Sequence, residues 1–244
     1  MINSLRTLLS CIVLAVGSPV AEASTWNFAS GGNSYTTTGN AFGNRLTFSQ
    51  GTEKLRVTAW SDTASGMPAN FETAQLGRYS TGLGVCNRAE GTITRCISQG
   101  LDHQVDNVTQ RDLVLFVFES PQAMQSLTVD PYGVWDRDVS FWVGTVSSGL
   151  SLSSLNFGTL AALGFGAPVN SLNSAGDAPL TIGLGGLVGN ALLVGSLSPS
   201  DSTADRFKIR ALVTTTTTTV VPVPAAAWLF LSALGSIAGI RRLA

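Results

Sequence analysis

The run Leu113–Phe118, within the stretch "DLVLFVFES" (Asp112–Ser120), is the feature that most restricts the fold of this chain. Every residue of the run is apolar, and alternate residues of a β-strand point to opposite faces of the sheet. A strand of this kind needs other side chains to cover it on both faces. The run therefore predicts a central, doubly covered strand.

Segments on either side of this run also indicate strands. "LRVTAWSD" (Leu55–Asp62) alternates apolar and polar residues with a period of two. "NALLVGSL" (190–197) and "DRFKIRALV" (205–213) indicate a final strand pair, whereas residues 149–189 indicate an irregular flank of the sheet. Glycine and proline interrupt nearly every connection. The pattern predicts an all-β fold, an antiparallel β-sandwich of jelly-roll type.

The N-terminus has the features of a secretory signal peptide at residues 1–23. A charged residue, Arg6, precedes the mostly apolar segment Thr7–Val16, and Ala21 and Ala23 form an A-x-A cleavage site. We expect the mature chain to begin at Ser24. "LLSC" at Leu8–Cys11 is the alternative, a lipobox, but the apolar run continues beyond Cys11.

The C-terminus carries an uncharged, mostly apolar segment, Ala225–Ile240, followed by Arg241 and Arg242. As a helix it would extend roughly 24 Å, and the valines before it and the snorkelling arginines can extend that span. The arginines favour a cytoplasmic C-terminus. We expect a transmembrane helix; the alternative is a helix buried in the folded domain.

These segments divide the chain into four parts. Residues 1–23 are the signal peptide, residues 24–213 the β-domain, residues 214–221 a threonine-rich spacer, and residues 222–244 a tail with the transmembrane helix. Charged residues make up 12% of the chain. Without Arg6, Glu22, Arg241 and Arg242 the chain has 11 basic and 14 acidic residues. This slightly acidic charge argues against nucleic acid as a partner.

The tail resembles the PEP-CTERM sorting signal of Gram-negative bacteria. The resemblance is carried by Pro222, Val223 and Pro224, the apolar segment after them, and Arg241 and Arg242 at the end. Val223 replaces the glutamate of the usual motif. The resemblance implies recognition and processing by an exosortase at the inner membrane, and release to the cell surface or the extracellular matrix.

The domain itself is similar to a group of exosortase-dependent PEP-CTERM surface proteins. Four motifs carry the similarity: "GLGV" (82–85), "HQVDN" (103–107), "DLVLF" (112–116) and "DRD" (136–138). "GNALLVG" and "DRFKIRAL" continue it to Leu212. The similarity implies the same export route and no established activity.

Cys86 and Cys96 are the two cysteines that remain after removal of the signal peptide. An exported chain enters an oxidising compartment, so we expect a disulfide between them. The alternative is a reactive thiol, but His103, the single histidine of the chain, lies seven residues beyond Cys96.

Two groups of oxygen-bearing side chains are the candidates for a metal site. They belong to the "HQVDN" and "DRD" motifs and the residue before the first: Asp102, Asp106, Asn107, Asp136 and Asp138. Ca²⁺ prefers such ligands, and the expected cofactor, where one is bound, is Ca²⁺. The alternative is that these side chains cap turns through hydrogen bonds to the backbone.

Trp135, beside Asp136, is the candidate for a sugar-binding surface, because aromatic rings stack on sugars; packing in the core is the alternative. We expect no catalytic residue, since no G-x-S-x-G motif accompanies His103. The expected function is a structural or adhesive role in the exopolysaccharide layer. The alternatives are a Ca²⁺-stabilised carbohydrate-binding module and, least favoured, an enzyme acting on polysaccharide through Asp106, Asp136 or Asp138.

Overall fold

The long strand β9 (Asp112–Pro131) is the centre of the fold in the computed structural model. The model describes residues 22–63, 69–91, 103–131, 133–197 and 203–217. Along the first half of β9, Val114 and Phe116 face one apolar cluster, whereas Leu113 and Leu115 face a second one. All four side chains are at most 1% exposed. The prediction of a strand covered on both faces is confirmed.

Around β9 the chain forms an antiparallel β-structure, which confirms the all-β prediction at this level. The described part of the chain contains 13 strands in one connected sheet. In chain order these are β1 (Ala23–Asn27), β2 (Tyr35–Thr37), β3 (Arg45–Gln50), β4 (Glu53–Asp62), β5 (Phe71–Thr73), β6 (Gln75–Tyr79), β7 (Gly82–Cys86), β8 (Val105–Asp106), β9, β10 (Val139–Gly144), β11 (Val169–Ser171), β12 (Leu180–Ser196) and β13 (Arg206–Thr216).

The two halves of β9 have different neighbours. Its first half lies between β4 and the end of β12, and its second half lies between the start of β12 and β13. The change occurs at Glu119–Pro121, which has no partner in the strand registers. Pro121 lacks the backbone N–H that a central strand donates. One strand therefore connects two differently composed parts of the sheet.

The larger apolar cluster contains side chains from both parts. Val57 of β4 and Phe116 of β9 represent the first part, and Leu127 of β9 and Ile209 of β13 represent the second. Each of these four side chains is fully buried. At about 25 cal/mol per Å² of buried apolar surface, this cluster is the main stabilising element of the domain.

The smaller cluster covers the opposite face of β9. It is closed by the segment after β10, where 3₁₀ turns at Phe157–Thr159 and Ala161–Leu163 alternate with irregular backbone. The expected irregular flank is thus present in its first part. From Leu180 onward, however, the chain is a regular strand, and Gly185 and Gly186 form a bulge in it with φ near +69°. Glycine adopts this backbone conformation at little cost.

Two sequence predictions of strand arrangement differ from the structure. "NALLVGSL" and "DRFKIRALV" form the end of β12 and most of β13, but these strands do not pair with each other. β9 lies between them: the first segment pairs with the first half of β9, and the second segment pairs with its second half. The threonine spacer also begins later than predicted: Thr214, Thr215 and Thr216 belong to β13.

The first and last strands of the described chain pair with each other. β1 runs antiparallel to β13, with Ala23 opposite Thr215 and Trp26 opposite Leu212. The indole Nε1 of Trp26 donates a hydrogen bond of 3.4 Å to Oγ1 of Thr214. Residues Glu22–Thr217 form one compact unit. No helix in the described ranges combines the length and apolar character required to cross a membrane.

Candidate functional site

The predicted metal ligands fall into two separate acidic clusters. Asp136 and Asp138 group with Asp205, and Asp106 groups with Glu90 and Asp112. In each cluster one oxygen from every carboxylate lies within 4.8 Å of the other two. We call them the Asp205 triad and the Asp112 triad. Asp102, the fifth predicted ligand, lies outside the described residues.

Asp205 connects three parts of the chain through its two carboxylate oxygens. Oδ1 accepts a hydrogen bond from the backbone N–H of Asp138 at 3.1 Å. Oδ2 accepts from the backbone N–H of Leu197 at 3.1 Å and from Nδ2 of Asn107 at 2.7 Å. The backbone N–H of Asp205 in turn donates to Oδ1 of Asn107. Asn107, one of the predicted ligands, is therefore linked to this triad through its hydrogen bonds with Asp205.

The side chain of Asp205 is fully shielded from solvent, and its burial disfavours the ionised carboxylate. Burial raises the pKa of its carboxyl to about 7, although hydrogen bonds from the backbones of Leu197 and Asp138 oppose that rise. The negative charges of Asp138 and Asp136 contribute to the same rise. The hydrogen bonds thus stabilise the ionised form of a buried acid.

The other two acids of this triad also bind backbone N–H groups. Oδ1 of Asp138 accepts from the backbone of Asn173 at 2.5 Å, and Oδ1 of Asp136 accepts from the backbone of Arg137 at 2.8 Å. Bonds of this kind are what turn-capping acids make. The Asp205 triad therefore fits the turn-capping interpretation of the sequence.

The Asp112 triad is built by a capped turn and by two strands. Asn87 caps the 3₁₀ turn Arg88–Glu90, and its backbone N–H donates to Oε2 of Glu90 at 2.8 Å. Asp106 ends the short strand β8 and accepts a hydrogen bond from the backbone of Val108 at 2.9 Å. Asp112 is the first residue of β9. Each acid is thus held by regular local structure.

Among the described aspartates, Asp112 is distinguished by a buried carboxylate oxygen that accepts no hydrogen bond. Oδ1 accepts a hydrogen bond from Nδ2 of Asn87 at 3.1 Å. Oδ2 is buried and accepts no hydrogen bond from the described residues. Burial raises the pKa of this carboxyl well above its usual range, and the charges of Asp106 and Glu90 raise it further. Hydrogen bonds from Asn87 and the backbone of Asp106 only partly oppose this rise.

Trp135, the predicted sugar-stacking residue, lies beside the Asp205 triad. Its side chain is partly exposed, and the guanidinium of Arg206 lies 4.5 Å from the centre of its ring. Trp135 also forms an isolated β-bridge with Gly176. One face of the ring is thus occupied by a cation, a contact typically worth about 0.5–1 kcal/mol at exposed sites.

His103 and Cys86 lie near the Asp112 side of the domain. The His103 ring stacks on Tyr79 with 4.1 Å between ring centres. Cys86 ends β7, is buried and is disulfide-bonded. Cys96, its predicted partner, lies outside the described residues, so the pairing of these two cysteines stays a prediction.

Ala23, at the predicted signal cleavage site, is the first residue of β1. The other predicted processing residues, which define the cleavage site and the tail, lie outside the described residues: Ala21, Pro222, Val223, Pro224, Arg241 and Arg242.

Sequence reasoning missed three acids of these clusters: Glu90, Asp112 and Asp205. Two of them had a position in the sequence that could have identified them. Asp112 begins β9 and Asp205 directly precedes β13, and at the start of a strand a polar side chain can accept hydrogen bonds from nearby backbone N–H groups. Glu90 stands three residues after Asn87, the spacing of a capping box. A search limited to acid-rich motifs does not find isolated acids of this kind.

Comparisons with protein-family models and with curated proteins find no match to this chain. Its function must therefore be inferred from its own residues.

Proposed function

We propose that this chain is an exported, non-enzymatic surface or matrix protein with a structural or adhesive role in the exopolysaccharide layer. An exosortase at the inner membrane processes its tail. The observation that carries this proposal is the pairing of β1 with β13, in which Ala23 lies opposite Thr215. The sheet starts at the predicted signal cleavage site and ends just before the predicted tail. Removal of both takes only Ala23, the first residue of β1, from the folded sheet.

The arrangement of the core supports a rigid extracellular domain. Side chains from both parts of the sheet meet in one cluster, for example Phe116 and Leu127 of β9. We therefore propose that the two parts pack face to face as a jelly-roll-like β-sandwich, linked by the continuous strand β9. A sandwich of this kind shields its backbone hydrogen bonds in the way an exported structural protein requires.

Mass spectrometry of the protein recovered from an exosortase-containing host tests this proposal. We expect a mature chain that begins at Ser24 and lacks the segment from Ala225 onward, in the surface or medium fraction. The control is a variant with Arg241→Ala and Arg242→Ala, which should accumulate uncleaved at the membrane. Recovery of the wild-type chain uncut at both ends in the cytosol contradicts the proposal.

A second candidate is a Ca²⁺-stabilised carbohydrate-binding module, and Trp135 favours it. The ring is partly exposed and lies beside Asp136 of an acidic triad. A glycan array with and without EDTA tests this candidate against the first. Calcium-dependent binding that is lost in Trp135→Ala and kept in Trp60→Phe supports a binding module, since Trp60 is buried in the smaller cluster. Absence of binding to every glycan supports the structural role.

A further inference from the structure

The Asp112 triad combines three acids with one buried oxygen that the fold leaves without a partner. Asp112 is fully buried, and its Oδ2 accepts no hydrogen bond from the described residues. An unsatisfied buried polar atom typically costs about 1–3 kcal/mol, and more when it is charged. Native proteins keep such atoms when a ligand satisfies them or when they serve a function.

Oxygen spacing in the triad fits one hard cation. One carboxylate oxygen of each of Glu90, Asp106 and Asp112 lies within 4.8 Å of the other two. Ca²⁺ binds oxygens at about 2.3–2.6 Å, so two ligands on opposite sides of the ion are at most roughly 4.6–5.2 Å apart. Mg²⁺ usually keeps several waters and is seldom held by a site made of protein ligands alone, so a buried carboxylate site favours Ca²⁺.

Local structure holds the three acids in place without an ion. Glu90 is fixed by the capping box with Asn87, and the Asn87 side chain also bonds Oδ1 of Asp112. That bond leaves Oδ2 as the atom of Asp112 without a partner. Second-layer hydrogen bonds of this kind orient carboxylate ligands around metals.

The arginines that flank these elements pair with other acids. Arg88 lies 3.7 Å from Glu72, and Nε of Arg111 lies 2.8 Å from Oδ2 of Asp62. Arg88 belongs to the same turn as Glu90, and Arg111 directly precedes Asp112. Each of these two arginines thus has a carboxylate partner outside the triad.

We propose that Glu90, Asp106 and Asp112 form a divalent-cation site selective for Ca²⁺ over Mg²⁺, with Oδ2 of Asp112 as the buried ligand. The ion bridges the capped turn, β8 and the start of β9, and so fixes the entry of the central strand. This site does not depend on the proposed extracellular role, and it differs from the predicted set because the Asp205 triad is not part of it.

Calorimetric titration of the full chain in detergent, after removal of metals with EDTA, tests this site. In separate titrations with CaCl₂ and with MgCl₂, we expect one Ca²⁺ per chain and at least tenfold weaker binding of Mg²⁺. Asp112→Asn and Glu90→Gln should each weaken Ca²⁺ binding at least tenfold. Glu90→Gln keeps an acceptor for the capping bond, so it reports on the charge even where Asp112→Asn fails to fold.

Asp138→Asn is the matched control, since it removes one acid from the other triad. We expect it to leave Ca²⁺ binding within a factor of about two of the wild type. Three outcomes overturn the proposal: no Ca²⁺ binding by the wild type, equal binding by Asp112→Asn and Glu90→Gln, or loss of binding in Asp138→Asn alone.

Discussion

The two acidic triads contain the same number of carboxylates but differ in how the fold satisfies them. In the Asp205 triad, both oxygens of the buried acid accept hydrogen bonds, three in all. In the Asp112 triad, one oxygen of the buried acid accepts a hydrogen bond, and the other accepts none from the residues that the structure describes. Acid content alone therefore does not identify a metal site. The distinguishing feature is a buried carboxylate oxygen that accepts no hydrogen bond. The proposed ligand Asp112 has such an oxygen, whereas both oxygens of Asp205 accept hydrogen bonds.

The difference follows from what each acid finds around it. Asp205 lies where the backbones after β12 and before β10 present N–H groups that need acceptors. Asp112 lies against two other acids, Asp106 and Glu90, which supply negative charge and raise its pKa. The N–H donors around Asp205 are stabilised by a carboxylate acceptor. The clustered carboxylates around Asp112 would instead be stabilised by a positive charge.

The largest expected effect in this comparison is the loss of stability in Asp205→Ala. The change leaves three donors without an acceptor: the N–H groups of Asp138 and Leu197 and the amide of Asn107. Each costs about 1–3 kcal/mol, and relief of the desolvated carboxylate offsets part of the sum. We expect urea unfolding in EDTA to show a loss of about 3 kcal/mol.

Asp136→Ala is the control for this experiment, because the Asp136 side chain accepts its hydrogen bond from the backbone N–H of the adjacent Arg137. We expect it to cost less than about 1 kcal/mol. If both variants lose the same stability, the Asp205 hydrogen bonds do not stabilise the domain and the contrast between the triads fails.

Without metal, we expect Asp112→Asn to increase the free energy of unfolding, whereas Asp205→Ala decreases it. Asparagine removes a buried charge beside Asp106 and Glu90, and its amide can donate where Oδ2 had no partner. We expect the variant to be about 2 kcal/mol more stable than the wild type in EDTA, measured by urea unfolding. Saturating Ca²⁺ should reverse the order, since binding stabilises only the wild type.

Asp205→Asn is the paired control for this reversal. We expect it to be less stable than the wild type both with and without Ca²⁺. Its side-chain NH₂ group would face N–H donors where the wild type has a carboxylate acceptor. A stability loss in EDTA that is equal for Asp112→Asn and Asp205→Asn would show that the two acids have the same role.

Much of the fold could be predicted from the sequence, because it depends on local pattern. The run Leu113–Phe118 identified the central strand and its two covered faces. The partners of that strand were not predictable in the same way. β12 and β13 both flank β9, and strand order depends on contacts between residues about 50 to 95 positions apart, which periodicity does not report.

The candidate site was predicted only in part, for a similar reason. Asp136 and Asp138 were found because they are adjacent in a motif, and Asn107 because it belongs to another. Glu90, Asp112 and Asp205 each come from a different segment and meet through the fold. The sequence also cannot show that Oδ2 of Asp112 lacks a hydrogen bond, since this depends on the position of Asn87.

Lys208 extends the comparison of buried charged side chains from carboxylates to an ammonium group. Burial lowers the pKa of its ammonium to about 8, although Asp130 opposes the change. Between pH 8 and the usual value of 10.5 the unfolded chain therefore binds more protons than the native one, and stability rises with pH. We expect a gain on the order of 1–2 kcal/mol from pH 7.5 to 9.5, measured by urea unfolding.

Lys208→Met removes the titrating group and should abolish this gain. The groups around Lys208 do not imitate it: Arg210 pairs with Asp130, and burial raises the pKa of Tyr79 to about 12. Tyr79 lowers stability only as the pH rises above about 10, its usual value. An equal gain in the wild type and in Lys208→Met contradicts the assignment to Lys208.

The smallest effect is expected for a neutral donor, the indole of Trp26. Nε1 of Trp26 donates to Oγ1 of Thr214, which is fully buried in β13. Thr214→Val leaves this donor without an acceptor, and we expect a loss of about 0.5–1.5 kcal/mol in urea unfolding. The matched control is Thr217→Val, which lies beyond β13 and is exposed. If neither change alters the free energy of unfolding, Thr214 contributes no more to stability than the exposed Thr217. That result would also indicate that a buried donor without an acceptor lowers stability only where a charged group is involved.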